Sequence, residues 1–360
     1  MRLHSRRLYL SCKKTDANVQ LLSSSLLLIV SLVAAAQSPN PRVQALVRSG
    51  KASLNANDFA RAASDFEQAR QLEPENLEIN RDLLLSHLQT GQLTQAVEVG
   101  RAAVARWPQD AQLRHWLGLA YFKDGQNALA LQTLQSAEKL DSAHFDIHFD
   151  VALVLLEQNQ PSSAADELEK AIKLKPSDVL SHVLLGRSYQ NSNRTLQAVE
   201  QFQSVLRLDP KTPLGHYHLG FAYASLGRNQ EAIVEYEKEA ARTKGNPEVV
   251  YQLGHCLLVA GDWKSAITQL KKVTELDPRK GDAFYDLGKA LLLEGDAEAA
   301  VSALRRSVEL SPTDSSRHYQ LARALQKMGK GDEARQEWQR FDELKKNQPQ
   351  TGGMAAGRIQ

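Results

Sequence analysis

Two histidines and two aspartates near the middle of the chain have the spacing of a metal site. His144 and His148 lie four residues apart, with Asp146 and Asp150 beside them. On a helix, residues four apart share one face. Imidazole nitrogens and carboxylate oxygens on such a face can bind a divalent metal ion. One hypothesis from the sequence is therefore a metal-dependent enzyme.

Other reactive residue types are sparse. His216 and His218 flank Tyr217 and form a second, smaller candidate group. Cys256 is the only cysteine after residue 36, so no internal disulfide can form there, and its place among small residues predicts an inert core position. The sequence contains no Gly-x-Ser-x-Gly, His-Glu-x-x-His or phosphate-binding glycine loop. It therefore predicts no catalytic residue, no bound metal and no cofactor.

A period of 34 residues runs through the chain. Prolines recur at intervals of 34 or 68 residues: Pro74, Pro108, Pro176, Pro210, Pro278 and Pro312. Alanine recurs in the same register without exception: Ala62, Ala96, Ala130, Ala164, Ala198, Ala232, Ala266, Ala300 and Ala334. A fixed period of this length is typical of a solenoid built from stacked repeats.

The period divides the chain into nine units without insertion or deletion. Their bounds are 43–76, 77–110, 111–144, 145–178, 179–212, 213–246, 247–280, 281–314 and 315–348. Each unit has one internal break at glycine or asparagine: Asn57, Gly91, Gly125, Asn159, Asn193, Gly227, Gly261, Gly295 and Gly329. Both residue types tolerate the left-handed backbone that ends a helix. We therefore expect two helices per unit.

A small residue recurs in each first helix, as in Leu117-Gly118 followed by Tyr121. Small residues permit close packing of helices, and we expect the recurring alanine of the second helix to meet this position. Only the second unit has a large residue here, Leu84, which predicts wider helix spacing in that unit.

These units resemble the tetratricopeptide repeat. The resemblance rests on the 34-residue length, on Leu-Gly and Tyr in the first helix, on Ala in the second, and on Leu-Asp-Pro at residues 208–210 and 276–278. It implies an all-α, right-handed solenoid whose first helices line a concave groove. It also implies a non-catalytic scaffold that binds a protein or peptide, with no small-molecule substrate.

The repeat register also offers a structural explanation for the histidines. His148, His182, His216 and His318 all occupy the fourth position of their units, where the family usually has a large packing residue. Recurrence in register favours a structural role over metal binding.

The groove positions follow from the resemblance and helical spacing. In the third and fourth units, Leu119, Phe122 and Leu156 would contribute to an apolar floor. The predicted binding residues are Phe149, Leu153, Arg187, Tyr217, Tyr251, His255, Tyr285, Lys289, Tyr319 and Arg323. Tyrosines and basic residues there favour a partner with carboxylate groups. The alternative is that the tyrosines pack between adjacent first helices and that the basic side chains are merely solvated.

The N-terminal segment predicts export. Residues 1–36 contain a basic start, an apolar stretch and Ala34-Ala35-Ala36, which indicate a signal peptide cleaved after Ala36, or otherwise an uncleaved membrane anchor. Residues 37–42 are a short leader, and residues 349–360 are predicted to be a disordered tail. Without residues 1–36 the formal net charge falls from +2 to −2, which argues against nucleic acid as a partner.

The sequence thus predicts an exported scaffold, periplasmic or extracellular, that binds a partner segment in its groove. Membrane association is expected only if the N-terminal segment stays uncleaved. A self-assembling solenoid, or a subunit of an envelope or secretion complex, is the second hypothesis.

Overall fold

The computed structural model describes residues 40–347 of the 360-residue chain. These residues form eighteen α-helices and no β-strand, which confirms the predicted all-α repeat fold. The predicted signal peptide, residues 37–39 of the leader and the predicted tail lie outside the described residues. No helix within residues 40–347 combines the length and apolarity needed to cross a bilayer.

The helices belong to two compact units, divided between Leu140 and Asp141. The N-terminal unit contains α1 (Pro41–Asn55), α2 (Phe59–Leu72), α3 (Leu77–Thr90), α4 (Leu93–Arg106), α5 (Ala111–Lys123) and α6 (Asn127–Leu140). The C-terminal unit contains α7 (Phe145–Glu157), α8 (Pro161–Leu174), α9 (Val179–Asn191), α10 (Thr195–Leu208), α11 (Gly215–Ser225), α12 (Asn229–Arg242), α13 (Pro247–Ala260), α14 (Trp263–Leu276), α15 (Gly281–Glu294), α16 (Ala297–Leu310), α17 (Ser315–Lys327) and α18 (Gly331–Asn347).

Within each unit the helices pack in chain order. Each odd-numbered helix packs against the following even-numbered helix to form a hairpin, and that second helix packs against the first helix of the next hairpin. Successive first helices also touch, as α13 and α15 do. A single hairpin cannot cover its own apolar face, so this stacking creates the core of each unit.

The turn inside every hairpin uses the predicted backbone conformation. All nine break residues have a positive φ, from 56° at Asn159 to 103° at Gly295. This left-handed conformation strains most L-residues but not glycine, and strains asparagine little. The sequence-based explanation for the ends of the first helices is therefore confirmed.

The small residue of the first helix packs against a large residue sixteen positions later. A Cβ added to Gly118 would lie 2.6 Å from Leu134 Cγ, and one added to Gly186 would lie 2.6 Å from Phe202 Cε1. The recurring alanines are buried, and Ala232 lies beside this position, with its carbonyl oxygen 3.3 Å from a Cβ added to Gly220. The second hairpin reverses the pair: Leu84 is large, and Gly100 leaves space for Leu84 and for Leu117 of the next hairpin.

The residue at the fourth position of the 34-residue repeat connects its hairpin to the preceding turn. In five hairpins its side chain donates a hydrogen bond to the carbonyl oxygen six residues earlier, in the preceding turn. The donors are Asn80, Arg114, His148, His182 and His318. A turn carbonyl that would otherwise lack a helical partner is thereby satisfied.

Candidate functional site

All ten predicted groove residues lie on first helices of the C-terminal unit. They occupy the fifth or ninth position of their 34-residue repeats and lie on α7, α9, α11, α13, α15 and α17. Residues four apart on one helix share a face, so these positions place each pair on one side of its helix. The open surface they form in this unit is called here the position-5/9 face.

The face is apolar at its start. Phe149 and Leu153 on α7 are half-buried, and the Phe149 ring stacks on Phe145 with centroids 5.7 Å apart. On the next first helix, Arg187 is exposed and belongs to no ion pair among residues 40–347. Burial, together with the positive charge of Arg187, lowers the pKa of His218 to about 4. The imidazole of His218 is therefore neutral at physiological pH.

The middle of the face includes an aromatic residue that the sequence analysis missed. Phe221 on α11 occupies the ninth position of its 34-residue repeat and is 41% exposed. Its ring lies 6.5 Å from that of Tyr217, which is half-buried against Tyr236. The repeat pattern could have identified Phe221, because Arg187, a predicted groove residue, occupies the same position one repeat earlier.

Tyr251 and His255 on α13 converge on a buried carboxylate. The Tyr251 hydroxyl donates to Asp286 Oδ2 at 3.2 Å, and His255 Nδ1 lies 2.8 Å from the same oxygen. Asp286 is only 3% exposed. The hydrogen bond to Asp286 raises the pKa of His255 above its ordinary value, and burial is the main cause of a raised pKa for Tyr251.

The remaining tyrosines also contact neighbouring helices. Arg317 on α17 lies over the Tyr285 ring, 5.8 Å from its centroid. Tyr319 packs edge-on against Trp338 and contacts Phe341, with centroids 5.1 Å and 5.5 Å away. The Tyr251 hydroxyl and the Tyr285 ring thus each contact the next first helix, which corresponds to the packing alternative for these two tyrosines.

Three of the four predicted tyrosines have a cation over the ring. Lys280 Nζ lies 4.6 Å from the ring centroid of Tyr251, and Lys289 Nζ lies 5.3 Å from that of Tyr285. Arg323 lies over Tyr319 at 5.8 Å. Cation–π contacts of this kind hold a basic side chain at a fixed place on the surface.

The basic end of the face contains an open recess between α15 and α17. Its volume is about 470 Å³, and it is lined by Lys289, Leu292, Leu293, Gln320, Arg323, Gln326 and Lys327. We call it the α15–α17 recess. Three of these residues are cationic and none is acidic.

The three cations of the α15–α17 recess are held differently. Lys327 Nζ donates to the Leu292 carbonyl oxygen at 3.0 Å, and Lys289 Nζ lies 4.0 Å from Asp286 Oδ1. Arg323 is exposed and has no carboxylate within ion-pairing distance in residues 40–347. Sequence reasoning found Lys289 and Arg323 but missed Lys327, because it lies at the thirteenth position, outside the expected register.

The histidines that could have formed metal sites make contacts within the fold. His148 Nδ1 lies 2.8 Å from Glu167 Oε2, and its Nε2 lies 3.0 Å from the Ser142 carbonyl oxygen. His216 contacts Glu235 at 2.5 Å, whereas His218 stacks on Phe202. His216 and His218 therefore point to different partners.

Cys256 has the environment of a core residue. It is 2% exposed, and burial raises the pKa of its thiol to about 11. The reactive thiolate is therefore scarce at neutral pH. This agrees with the inert role that the sequence predicts.

Comparisons with protein families give a consistent description. A profile described as "Tetratricopeptide repeat" matches residues 47–111, 183–247 and 251–315, and a second with the same description matches residues 291–351. A profile for "Anaphase-promoting complex, cyclosome, subunit 3" matches residues 89–171. No curated protein matches the chain.

Several solved structures are similar. YrrB, described as "a TPR protein with an unusual peptide-binding site", is 23% identical over 51% of this chain and 94% of its own, with a TM-score of 0.45. A tetratricopeptide repeat protein from Parabacteroides merdae is 14% identical over 70% of this chain and 100% of its own, with a TM-score of 0.48. MamA is 22% identical over 47% and 93%, with a TM-score of 0.44.

Proposed function

This chain belongs to the tetratricopeptide repeat family, and from that premise we propose that it is a non-catalytic scaffold whose position-5/9 face binds a segment of a partner protein. Proteins of this family generally act as interaction scaffolds. The segment we propose carries acidic side chains next to an aliphatic one. It contacts the α15–α17 recess at one end of the face.

The composition of the recess is the observation that carries this proposal. Lys289, Arg323 and Lys327 supply positive charge without an acidic neighbour in the lining, and Arg323 has no carboxylate partner in the described part of the chain. Leu293, which also lines the recess, is 48% exposed. A carboxylate would find charge-assisted donors there, and an adjacent aliphatic side chain would cover exposed apolar surface.

Peptide binding tests the proposal directly. The probe is a capped, fluorescently labelled peptide with two Asp-Leu-Glu blocks, and its Asn-Leu-Gln analogue is the control peptide. We expect the full chain to bind the acidic peptide, and the Lys289→Glu/Arg323→Glu variant to bind it about tenfold or more weakly, because attraction becomes repulsion. Fluorescence anisotropy measures both affinities.

A matched charge reversal separates local from general electrostatics. Lys271 and Lys272 are exposed on the second helix α14. The Lys271→Glu/Lys272→Glu variant changes the net charge equally and should retain nearly full affinity. Equal binding by the recess variant and the wild type, or equal binding of both peptides, would refute the proposed site.

Export of the scaffold is part of the same proposal. It is supported by the basic start, apolar stretch and small residues of positions 1–36. Mass spectrometry of the protein recovered from its native cells should find Gln37 as the first residue. Recovery of a chain that still begins at Met1 would contradict cleavage and favour the anchored alternative.

A further inference from the structure

Asp286 is a buried carboxylate with three polar neighbours on the position-5/9 face. Its Oδ2 accepts hydrogen bonds from the Tyr251 hydroxyl and from His255 Nδ1, and its Oδ1 lies 4.0 Å from Lys289 Nζ. A carboxylate that is only 3% exposed requires such partners, because burial of an unpaired charge is costly. This cluster connects α13 with α15.

The cluster fixes the orientation of the His255 ring. Nδ1 is directed at the buried Asp286, while 43% of the His255 side chain remains exposed. Nε2 has no hydrogen-bond partner in residues 40–347 and is not a buried atom. Because Nδ1–H donates to the carboxylate, Nε2 is an acceptor in the neutral ring and becomes an oriented N–H donor only when the imidazole is protonated.

We infer that Asp286 positions His255 so that, in the protonated ring, Nε2–H donates to an acidic side chain of the bound segment, which makes His255 a specificity-determining residue for carboxylates. This inference rests on the proposed function, since it concerns the same bound segment. Asp286 itself is a positioning residue, because it acts through His255.

Lys289 couples the cluster to the α15–α17 recess. Its ammonium group approaches Asp286 and also lines the recess. When His255 is protonated, its positive charge compensates Asp286, and the charge of Lys289 is available to the partner. When His255 is neutral, Lys289 is the nearest remaining cation to Asp286, so the site offers less net positive charge.

The direction of the pH dependence follows from the groups around His255. Asp286 and Lys289 on α15 and Tyr251 on its own helix are the titratable groups that face it. Asp286 favours the protonated imidazole more than Lys289 opposes it, which raises the pKa of His255 above 6.5. The affinity for carboxylates should therefore decrease as the pH rises through that raised pKa.

The test measures affinity for the Asp-Leu-Glu peptide between about pH 5.5 and about pH 8.5, where its carboxylates stay ionised. Wild-type affinity should fall about threefold or more over this range, the size expected for one partly exposed ion pair. His255→Gln should bind with the weaker affinity throughout and lose this pH dependence. Tyr251→Phe, which keeps the ring but removes one donor to Asp286, should retain it.

Asp286→Asn tests the positioning role. Loss of the carboxylate should lower the pKa of His255, so the midpoint of the affinity profile should move to lower pH. NMR titration of the His255 Cε1 proton should show the same shift. If Asp286→Asn does not fold, the NMR titration of the wild-type protein still tests the positioning role. A His255 pKa below 6.5 would overturn that role.

The outcomes distinguish the two claims. Binding with an unchanged pH profile in His255→Gln overturns this inference and leaves the proposed function intact. Absence of binding at every pH, or full binding by Lys289→Glu/Arg323→Glu, overturns the proposed function and this inference together.

Discussion

Leu84 and Gly100 reverse the size pattern found in other hairpins. In the eighth hairpin a Cβ added to Gly288 of the first helix would lie 2.4 Å from Leu304 Cγ of the second. In the second hairpin the leucine is on the first helix, and a Cβ added to Gly100 would lie 3.4 Å from Leu84 Cδ1 and 2.9 Å from Leu117 Cδ1 of the next hairpin. Two unusual residues thus compensate each other, and packing volume is kept.

This exchange predicts a thermodynamic coupling. Leu84→Ala should destabilise the chain by about 2–5 kcal/mol through a cavity, and Gly100→Leu should overpack the same region. The double variant should be more stable than the sum of the single effects by about 0.5 kcal/mol or more, because Leu84→Ala removes one of the two leucines that crowd position 100, while the contact with Leu117 remains. Urea denaturation followed by circular dichroism measures the three variants.

Leu83 provides the control for that coupling. It is as fully buried as its neighbour Leu84, but it is not among the nearest atoms to a Cβ at Gly100. Leu83→Ala combined with Gly100→Leu should therefore give additive effects. Equal coupling in both double variants would show that the Leu84–Gly100 contact is not responsible.

Lys244 is predicted to be a stabilising position for glycine. It is exposed and has a φ of 51°. The left-handed conformation costs an L-residue about 1–2 kcal/mol, whereas glycine loses about 0.5–1 kcal/mol of backbone entropy. Lys244→Gly should thus raise stability by up to about 1 kcal/mol in thermal denaturation. The control, Lys211→Gly at an exposed turn residue without positive φ, should give no gain.

His182 is predicted to stabilise the joint between two hairpins. Its Nε2 donates to the Pro176 carbonyl oxygen at 3.0 Å, and its Nδ1 lies 2.8 Å from Gln201 Oε1. His182→Phe should cost about 1–3 kcal/mol by leaving these groups unsatisfied, although Phe284 is accepted at the same position of another unit. His182→Asn should cost less, since Asn80 makes the equivalent bond. Equal melting temperatures for both variants would contradict this role.

Protonation of His218 is predicted to destabilise the folded chain in acid. Burial and Arg187 lower its pKa in the folded state to about 4, below the ordinary 6.5. The unfolded chain therefore binds this proton first, and the contribution of neutral His218 is lost as the pH falls from 6.5 towards 4. His218→Phe, which keeps an aromatic ring against Phe202, should reduce the slope of stability with pH in that window. An unchanged slope would contradict the prediction, and denaturation at successive pH values measures it.

The repeat fold could be predicted because the alanine and the break residue each recur nine times in register. Asn57 and Gly295 both mark helix ends, although one alone would be weak evidence. Periodicity does not reveal the compensation between Leu84 and Gly100, because a repeat pattern describes each position separately. The partner of each departure lies on another helix, and its contact depends on how the two helices pack.

The candidate site was only partly predictable for a related reason. Periodicity placed Tyr251, His255 and Lys289 on one face, but it did not show that the first two share Asp286. That contact spans 35 residues for Tyr251 and depends on side-chain direction. Lys327 was missed because the α15–α17 recess extends past the ninth position, and its boundary is set by the spacing of two helices.

The hydrogen bond from the fourth position has a consequence for how such chains change in evolution. Each donor reaches a carbonyl only six residues earlier, so donor and acceptor are inherited together across a single joint. Duplication or loss of a whole 34-residue segment would therefore add or remove a complete donor–acceptor pair. Chain length could therefore vary by entire hairpins without new partners having to arise elsewhere.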